Sequence, residues 1–266
     1  MNLRRREGQK REYDGTLCML RAQRRIDKEG SANMTAPERV ASGVYRVDAI
    51  GISNAISVLL LEDRDGFALV DTGLGSSADS IREALAGLGG RPEDLKRICI
   101  THHHPDHIGG LPGVLEWAPD AELVAPKHEA EIISGEREPD AASSPLLRFF
   151  SRFQKLPTVP VDRVAHEGDV VAGFRVVPTP GHTLGHTSLL RDEDGLLFTG
   201  DAFGTLFRKV QVGGTKAACT NPPQAKRSAQ RLLAQDFDTV VMTHGRPLYA
   251  GARRQLKEAV ARCNYA

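Results

Sequence analysis

Thr101-His102-His103-His104-Pro105-Asp106-His107 is the densest run of metal-ligating side chains in the sequence. Divalent zinc-like ions take neutral imidazole and carboxylate ligands, and a catalytic site keeps one position open for water. His102 and His104 stand two apart, so in an extended segment they project to the same side and His103 to the other. Pro105 stiffens a turn that returns Asp106 and His107 to the same cavity. His102, His104, Asp106 and His107 exceed what one tetrahedral ion can use alongside water. A second ion becomes plausible if further ligands lie downstream.

Working outward, Arg97 to Thr101 reads as the strand that delivers the cluster. Upstream, Val44-Tyr45-Arg46-Val47 alternates like a half-buried strand, and Ala55 to Leu61 reads as a buried one. The turn Glu62-Asp63-Arg64-Asp65-Gly66 leads into a third strand, Phe67 to Val70, so the three suggest a β-meander. Asp71-Thr72-Gly73-Leu74-Gly75-Ser76-Ser77 opens a loop into a helix with Ile81, Leu85 and Leu88 on one face, stopped at Gly89-Gly90. After the cluster, Leu111 to Trp117 suggests a helix, Glu122 to Ala125 a strand and Pro126 to Gly135 a helix.

Residues 136–167 break this rhythm. Around Leu146-Leu147-Arg148-Phe149-Phe150-Ser151-Arg152-Phe153 they form either a lid insertion or a helix packed on the core. Strands resume at Phe174 to Pro178. Thr187 to Leu190 and Leu196 to Thr199 flank Arg191-Asp192-Glu193-Asp194-Gly195 as a hairpin. Gln224 to Ala234 reads as a helix, Thr239 to Thr243 as a strand and Ala252 to Cys263 as a final helix. Strands in sets with helices between them imply a layered α/β domain.

Downstream ligand candidates exist. His182 follows a strand in Thr179-Pro180-Gly181-His182-Thr183-Leu184-Gly185-His186, Asp201 ends Phe198-Thr199-Gly200-Asp201, and His244 lies in Thr243-His244-Gly245. Singly, each reads as a cap or turn residue. Together with the cluster they read as one site on loops at strand ends.

Composition is that of an ordinary soluble globular chain, 40% hydrophobic and 26% charged over 266 residues. A net charge of +1 offers no general attraction to nucleic acid or to an anionic membrane. No apolar run reaches the roughly 18–20 residues of a spanning helix. Residues 1–33 carry nine Lys/Arg against five acids and little apolar content, leaving the rest of the chain at −3. Residues 1–39 are therefore expected to be a loose basic leader, with Met34 as an alternative start, and 40–266 the folded domain. The leader lacks the apolar core of a signal peptide. Cys18, Cys99, Cys219 and Cys263 show no zinc-knuckle or redox spacing, so a reduced cytoplasmic protein is expected.

With these residues in hand, the chain resembles the metallo-β-lactamase superfamily. The ordered cues are Leu69-Val70-Asp71-Thr72-Gly73, the His-x-His-x-Asp-His run, Gly181-His182-Thr183, Gly200-Asp201 and Thr243-His244-Gly245. They span residues 40–250 and are far more specific than a single motif. The resemblance implies a four-layer αββα sandwich with the metal site at one edge of two sheets. It assigns one ion to His102, His104 and His182, a second to Asp106, His107 and His244, and makes Asp201 the bridge. Asp71 matches the family's aspartate that orients ligand groups by hydrogen bonding. His103 matches no ligand position.

Among the branches, the glyoxalase-II-like and lactonase-like ones share the bridging aspartate. The first carries a Gly/Cys/Arg-rich glutathione-binding stretch where this chain has Ala202-Phe203-Gly204-Thr205-Leu206-Phe207. The second has a tyrosine at the position of Gly204. True β-lactamases usually lack the aspartate. A body charge of −3 advertises no nucleic-acid groove.

The reading is thus a hydrolase of small carboxyl esters, thioesters or lactones acting through a metal-bound hydroxide. Two divalent ions serve it, zinc foremost, with manganese and iron also suited to these ligands. Asp106 would orient the attacking water and shuttle its proton. His186 either donates a hydrogen bond to the site or is a satisfied structural residue. A phosphodiesterase on the same centre, with Arg208, Lys209, Lys216 or Arg246 near the phosphate, and a non-catalytic metal-binding relative are the alternatives. The expected partner is a small-molecule substrate, with no nucleic acid or membrane, and oligomeric state is not legible.

Overall fold

The structure is a computed structural model that describes residues 36–151, 155–206 and 208–265. Almost all of the expected leader, and Phe153 of the aromatic stretch, lie outside the described residues.

Strands β1 (Glu38–Ala41), β2 (Val44–Asp48), β3 (Ser57–Asp63) and β4 (Gly66–Val70) form an antiparallel meander. The first strand thus begins just ahead of the boundary expected at residue 40. Helix α1 (Ala78–Gly87) crosses to β5 (Leu95–Cys99), which runs parallel to β4. The one-turn α2 (Pro105–Ile108) and then α3 (Leu111–Trp117) lead to β6 (Glu122–Pro126). Helices α4 (Lys127–Ile133) and α5 (Pro145–Ser151) precede β7 (Arg163–Ala165). These strands make a seven-stranded sheet in the order β1 to β7, parallel from β4 onward.

The second half builds another sheet from β8 (Val170–Val171), β9 (Phe174–Pro178), β10 (Thr187–Arg191) and β11 (Leu196–Phe198). A two-stranded ribbon follows, β12 (Phe203–Leu206) paired with β13 (Lys209–Val212). Helix α6 (Pro222–Leu232), strand β14 (Thr239–Val241) and helix α7 (Ala252–Arg262) complete the order. The five-stranded sheet is ordered β14-β11-β10-β9-β8, with β14 parallel to β11.

Alternation along β3 shows why two sheets stack. Leu59 and Leu61 face Phe174, Leu189 and Phe198 in a core between the sheets. Val58 and Leu60 point the other way, into a second core with Ile81 and Leu85 of α1 and Val114 of α3. Both faces are buried, so the strand reads as an unbroken apolar run. On the far side, Leu197, Val240 and Met242 pack against Ala229 and Leu232 of α6 and Leu256 of α7. The result is helix, sheet, sheet, helix, as expected.

Several elements differ from expectation. The strand before the histidines ends at Cys99 rather than Thr101, so Thr101 to His104 is an irregular lead-in that bends at Thr101. Pro105 does more than stiffen a turn: it occupies the first turn of α2, where its fixed φ suits a helix start. The insertion at 136–167 contains both α5 and β7, and its Leu156, Val159 and Val161 pack against the helix-side core. The β12–β13 ribbon was not expected, because its strands are short and interrupted by Gly204, Arg208 and Lys209. No helix among the described residues is long and apolar enough to cross a membrane.

Candidate metal centre

Every candidate ligand lies beyond the carboxyl end of a strand, and both sheets contribute. His102 and His104 leave β5, and Asp106 and His107 sit on α2. His182 lies between β9 and β10, Asp201 follows β11 and His244 follows β14. Gly181 lets the His182 loop lie against the start of α6, with φ +133 and an ideal Cβ only 2.1 Å from the Ala225 nitrogen.

The structure brings the seven together. His102 Nε2 and His182 Nε2 approach His104 Nδ1 at 3.1 and 2.9 Å, so three imidazole nitrogens converge on one point. Asp106, His107 and His244 form a second group whose ligand atoms lie within 4.8 Å of one another. Asp201 stands between: Oδ2 is 3.3 Å from His182 Nε2 and 3.5 Å from His244 Nε2, while Oδ1 is 3.5 Å from His107 Nε2. His107 Nε2 and Asp201 Oδ1 are buried with no hydrogen-bond partner. Orphaned buried polar atoms are rare in folded proteins and ask for an ion or water. The residues present therefore fit divalent metal.

Partners behind the rings fix which nitrogen faces inward. His107 Nδ1 donates to Asp71 Oδ2 at 2.8 Å, and His244 Nδ1 donates to the Ala55 carbonyl at 2.6 Å, so each ring turns Nε2 to the centre. Asp71 is fully buried and itself held at φ +58, a left-handed conformation secured by the Thr101 N–H at 2.8 Å. The hydrogen bond to His107 is the kind of contact that the sequence reading expected of Asp71. His186 is structural: its Nε2 accepts from the Asp201 backbone N–H at 3.0 Å and its Nδ1 lies 2.8 Å from Thr179 Oγ1.

Desolvation and the neighbouring His182 lower the pKa of His104 to about 3. Burial likewise lowers His182 to about 4. His107 and His244 behave oppositely. Burial disfavours their charge, but Asp71, Asp201 and Asp106 outweigh it at His107, raising it to about 10. Asp201 and Asp106 raise His244 to about 11.

Two adjoining cavities share His104, Asp106 and Ala218. One, of about 240 Å³, is otherwise walled mainly by apolar groups of the insertion: Pro139, Ala142, Leu147 and Leu156. The other, about 320 Å³, is bounded by the β12–β13 ribbon through Gly204, Thr205, Leu206 and Gly213. Arg208, Lys209, Lys216 and Arg246 are exposed and line neither cavity.

His103 points away, as expected, but its destination was not foreseen. It meets Glu129 of α4, a fully buried carboxylate. A signal was present: Glu129 falls three and four residues before Ile132 and Ile133, on the buried stripe of its helix.

An αββα sandwich with clustered histidine and aspartate at one sheet edge defines a class of metal-dependent hydrolase. The profile of the metallo-beta-lactamase superfamily matches residues 53–244, and the chain belongs to that family. It is similar to a probable metallo-hydrolase of Bacillus subtilis, YflN: 29% identity over 229 residues, covering 78% of this chain and 86% of the relative. It is 36% identical over 155 residues to a hydroxyacylglutathione hydrolase of Rhodopseudomonas palustris, covering 55% of this chain and 49% of that one. A solved metallo-beta-lactamase from Cronobacter sakazakii, a motif mutant, superposes with a TM-score of 0.61 at 28% identity, covering 85% of this chain and 84% of that one.

Proposed function

We propose that this hydrolase cleaves small carboxyl esters, thioesters or lactones with an apolar acyl part. Its centre would hold two divalent ions, zinc foremost, with manganese and iron also suited to the donors. The observation that carries the reading is Asp201, whose two oxygens reach toward both histidine groups while Oδ1 lacks any hydrogen bond. His102, His104 and His182 would hold one ion, Asp106, His107 and His244 the other, with Asp201 shared. Such ions supply Lewis acidity toward a carbonyl oxygen and a water that ionises near neutral pH.

The chain's own groups do the rest. Asp106 lines both cavities, and its Oδ2 lies 3.0 Å from His244 Nε2. Its carboxylate takes the proton from the attacking water and returns it to the leaving oxygen or sulfur. The water oxygen bonds to the acyl carbon as the carbon–oxygen or carbon–sulfur bond breaks. The cavity beside Leu147 and Leu156 suits the acyl part. Among the described residues, neither cavity is lined by Lys or Arg, which disfavours a phosphate group. A thioester substrate is in keeping with the hydroxyacylglutathione hydrolase relative, although the match spans about half of that protein. Cys99, Cys219 and Cys263 are unpaired, in keeping with a cytoplasmic setting.

The test is turnover by metal-replete protein on lactones, acyl thioesters, aryl esters and phosphodiesters. Hydrolysis of at least one acyl class, faster with longer apolar acyl groups, is expected. Turnover of phosphodiesters alone, or of nothing at full metal loading, would refute the reading.

A further inference from the structure

Glu129 is a carboxylate in full burial, on a helix that carries none of the ligands, 26 residues from His103 and more than 50 from the His182 loop. Burying a carboxylate is costly unless its oxygens are occupied by hydrogen-bond donors. Here they are saturated. Oε2 accepts from the His103 backbone N–H at 2.9 Å and from His103 Nδ1 at 2.5 Å. Oε1 accepts from Thr183 Oγ1 at 2.7 Å and from the Gly185 N–H at 2.9 Å.

These four donors divide evenly between two loops. His103 lies between His102 and His104, and Thr183 directly follows His182. One loop leaves the seven-stranded sheet and the other the five-stranded sheet, so Glu129 ties the sheets together beside the ligands. The contact is close by construction: an ideal Cβ on Gly185 would lie 2.7 Å from Glu129 Oε1. Asp140 repeats the pattern nearby, with its N–H 3.3 Å from His103 Nε2 and its Oδ2 accepting from the Leu184 N–H at 2.6 Å. His103, Glu129 and Asp140 contain ligand-type atoms close enough for an ion. The oxygens of Glu129 are already filled by donors, however, so this cluster is a brace and not another metal site.

We propose that Glu129 is a positioning residue that sets His102 and His104 against His182 and so fixes the geometry of the ion they share. The inference rests on the reading of those three histidines as ligands. A glutamine cannot replace Glu129, because its amide nitrogen would face one of two donor pairs and leave that pair unaccepted.

The test compares wild type, Glu129→Gln and Thr183→Val, the last removing a single donor. For each, zinc affinity is measured by chelator competition, the visible spectrum after cobalt substitution is recorded, and metal-free melting is followed. Turnover is split into kcat and KM. Expected for Glu129→Gln is a loss of about 10- to 100-fold in zinc affinity, the usual cost of removing a group that orients a ligand. An altered cobalt spectrum and a fall in kcat exceeding any change in KM should accompany it, with a smaller loss in Thr183→Val. If both folded variants keep wild-type zinc affinity and cobalt spectrum, and only melting falls, Glu129 is merely structural and the proposal fails. Should Glu129→Gln not fold, Thr183→Val decides: unchanged zinc affinity and spectrum overturn the proposal. Failure of wild type to hydrolyse any acyl substrate would refute the proposed reaction while leaving the metal measurements to judge Glu129.

Discussion

Asp201 and Asp71 divide the acidic work of the site. Asp201 carries an oxygen with no protein partner into the space between two histidine groups, whereas both Asp71 oxygens are engaged by Thr101 and His107. Removing Asp71 should leave His107 free to turn and should weaken metal without abolishing it. Asp71→Ala is expected to cost about 10- to 100-fold in metal affinity or activity, read by chelator competition and kcat/KM. Glu129 supplies a pH signature. Burial opposes its charge, but the hydrogen bonds from His103 and Thr183 prevail, lowering it from 4.5 to about 2. A carboxyl depressed on folding stabilises fully above its unfolded pKa and loses that contribution as pH falls through the folded one. Melting temperature measured from pH 4.5 down to about 2 should therefore fall more steeply in wild type than in Glu129→Gln.

At the level of elements, what was legible depended on how many residues repeated the signal. Leu111 to Trp117 and Phe174 to Pro178 matched their sequence reading end to end, and the Arg191 to Gly195 turn joined the expected hairpin. The convergence of the seven candidate ligands was legible because each follows a strand in a motif with glycine or a small polar residue. The β12–β13 ribbon that walls one cavity was not, since four-residue strands carry too little alternation. Glu129 escaped because its partners lie on loops distant in sequence, and periodicity reports only neighbours on one helix. Gly181 joins these scales. With φ +133 and the start of α6 in van der Waals overlap with any Cβ, Gly181→Ala must strain the loop or move the helix. A loss of about 1–3 kcal/mol in denaturant unfolding is expected, with weaker metal binding because His182 is adjacent. Unchanged unfolding and metal affinity would show that the loop has slack.

Across the whole molecule, two sheets share one core and deliver the candidate ligands to one edge. The seven-stranded sheet supplies His102, His104, Asp106 and His107, and the five-stranded sheet supplies His182, Asp201 and His244. Metal would therefore bind between the layers and stabilise the pair, adding about 2.7 kcal/mol when free metal is 100 times its dissociation constant. Activity is expected to require two ions held by these seven residues together. The direct measurement titrates metal-free protein with zinc and follows both bound metal and hydrolysis of an acyl ester, thioester or lactone that wild type turns over. Activity that rises to a plateau at two bound zinc ions per chain in wild type, with neither two ions nor turnover in Asp201→Ala, is the result predicted. Full activity at one bound ion, or an Asp201→Ala protein that keeps two ions and wild-type turnover, would contradict it.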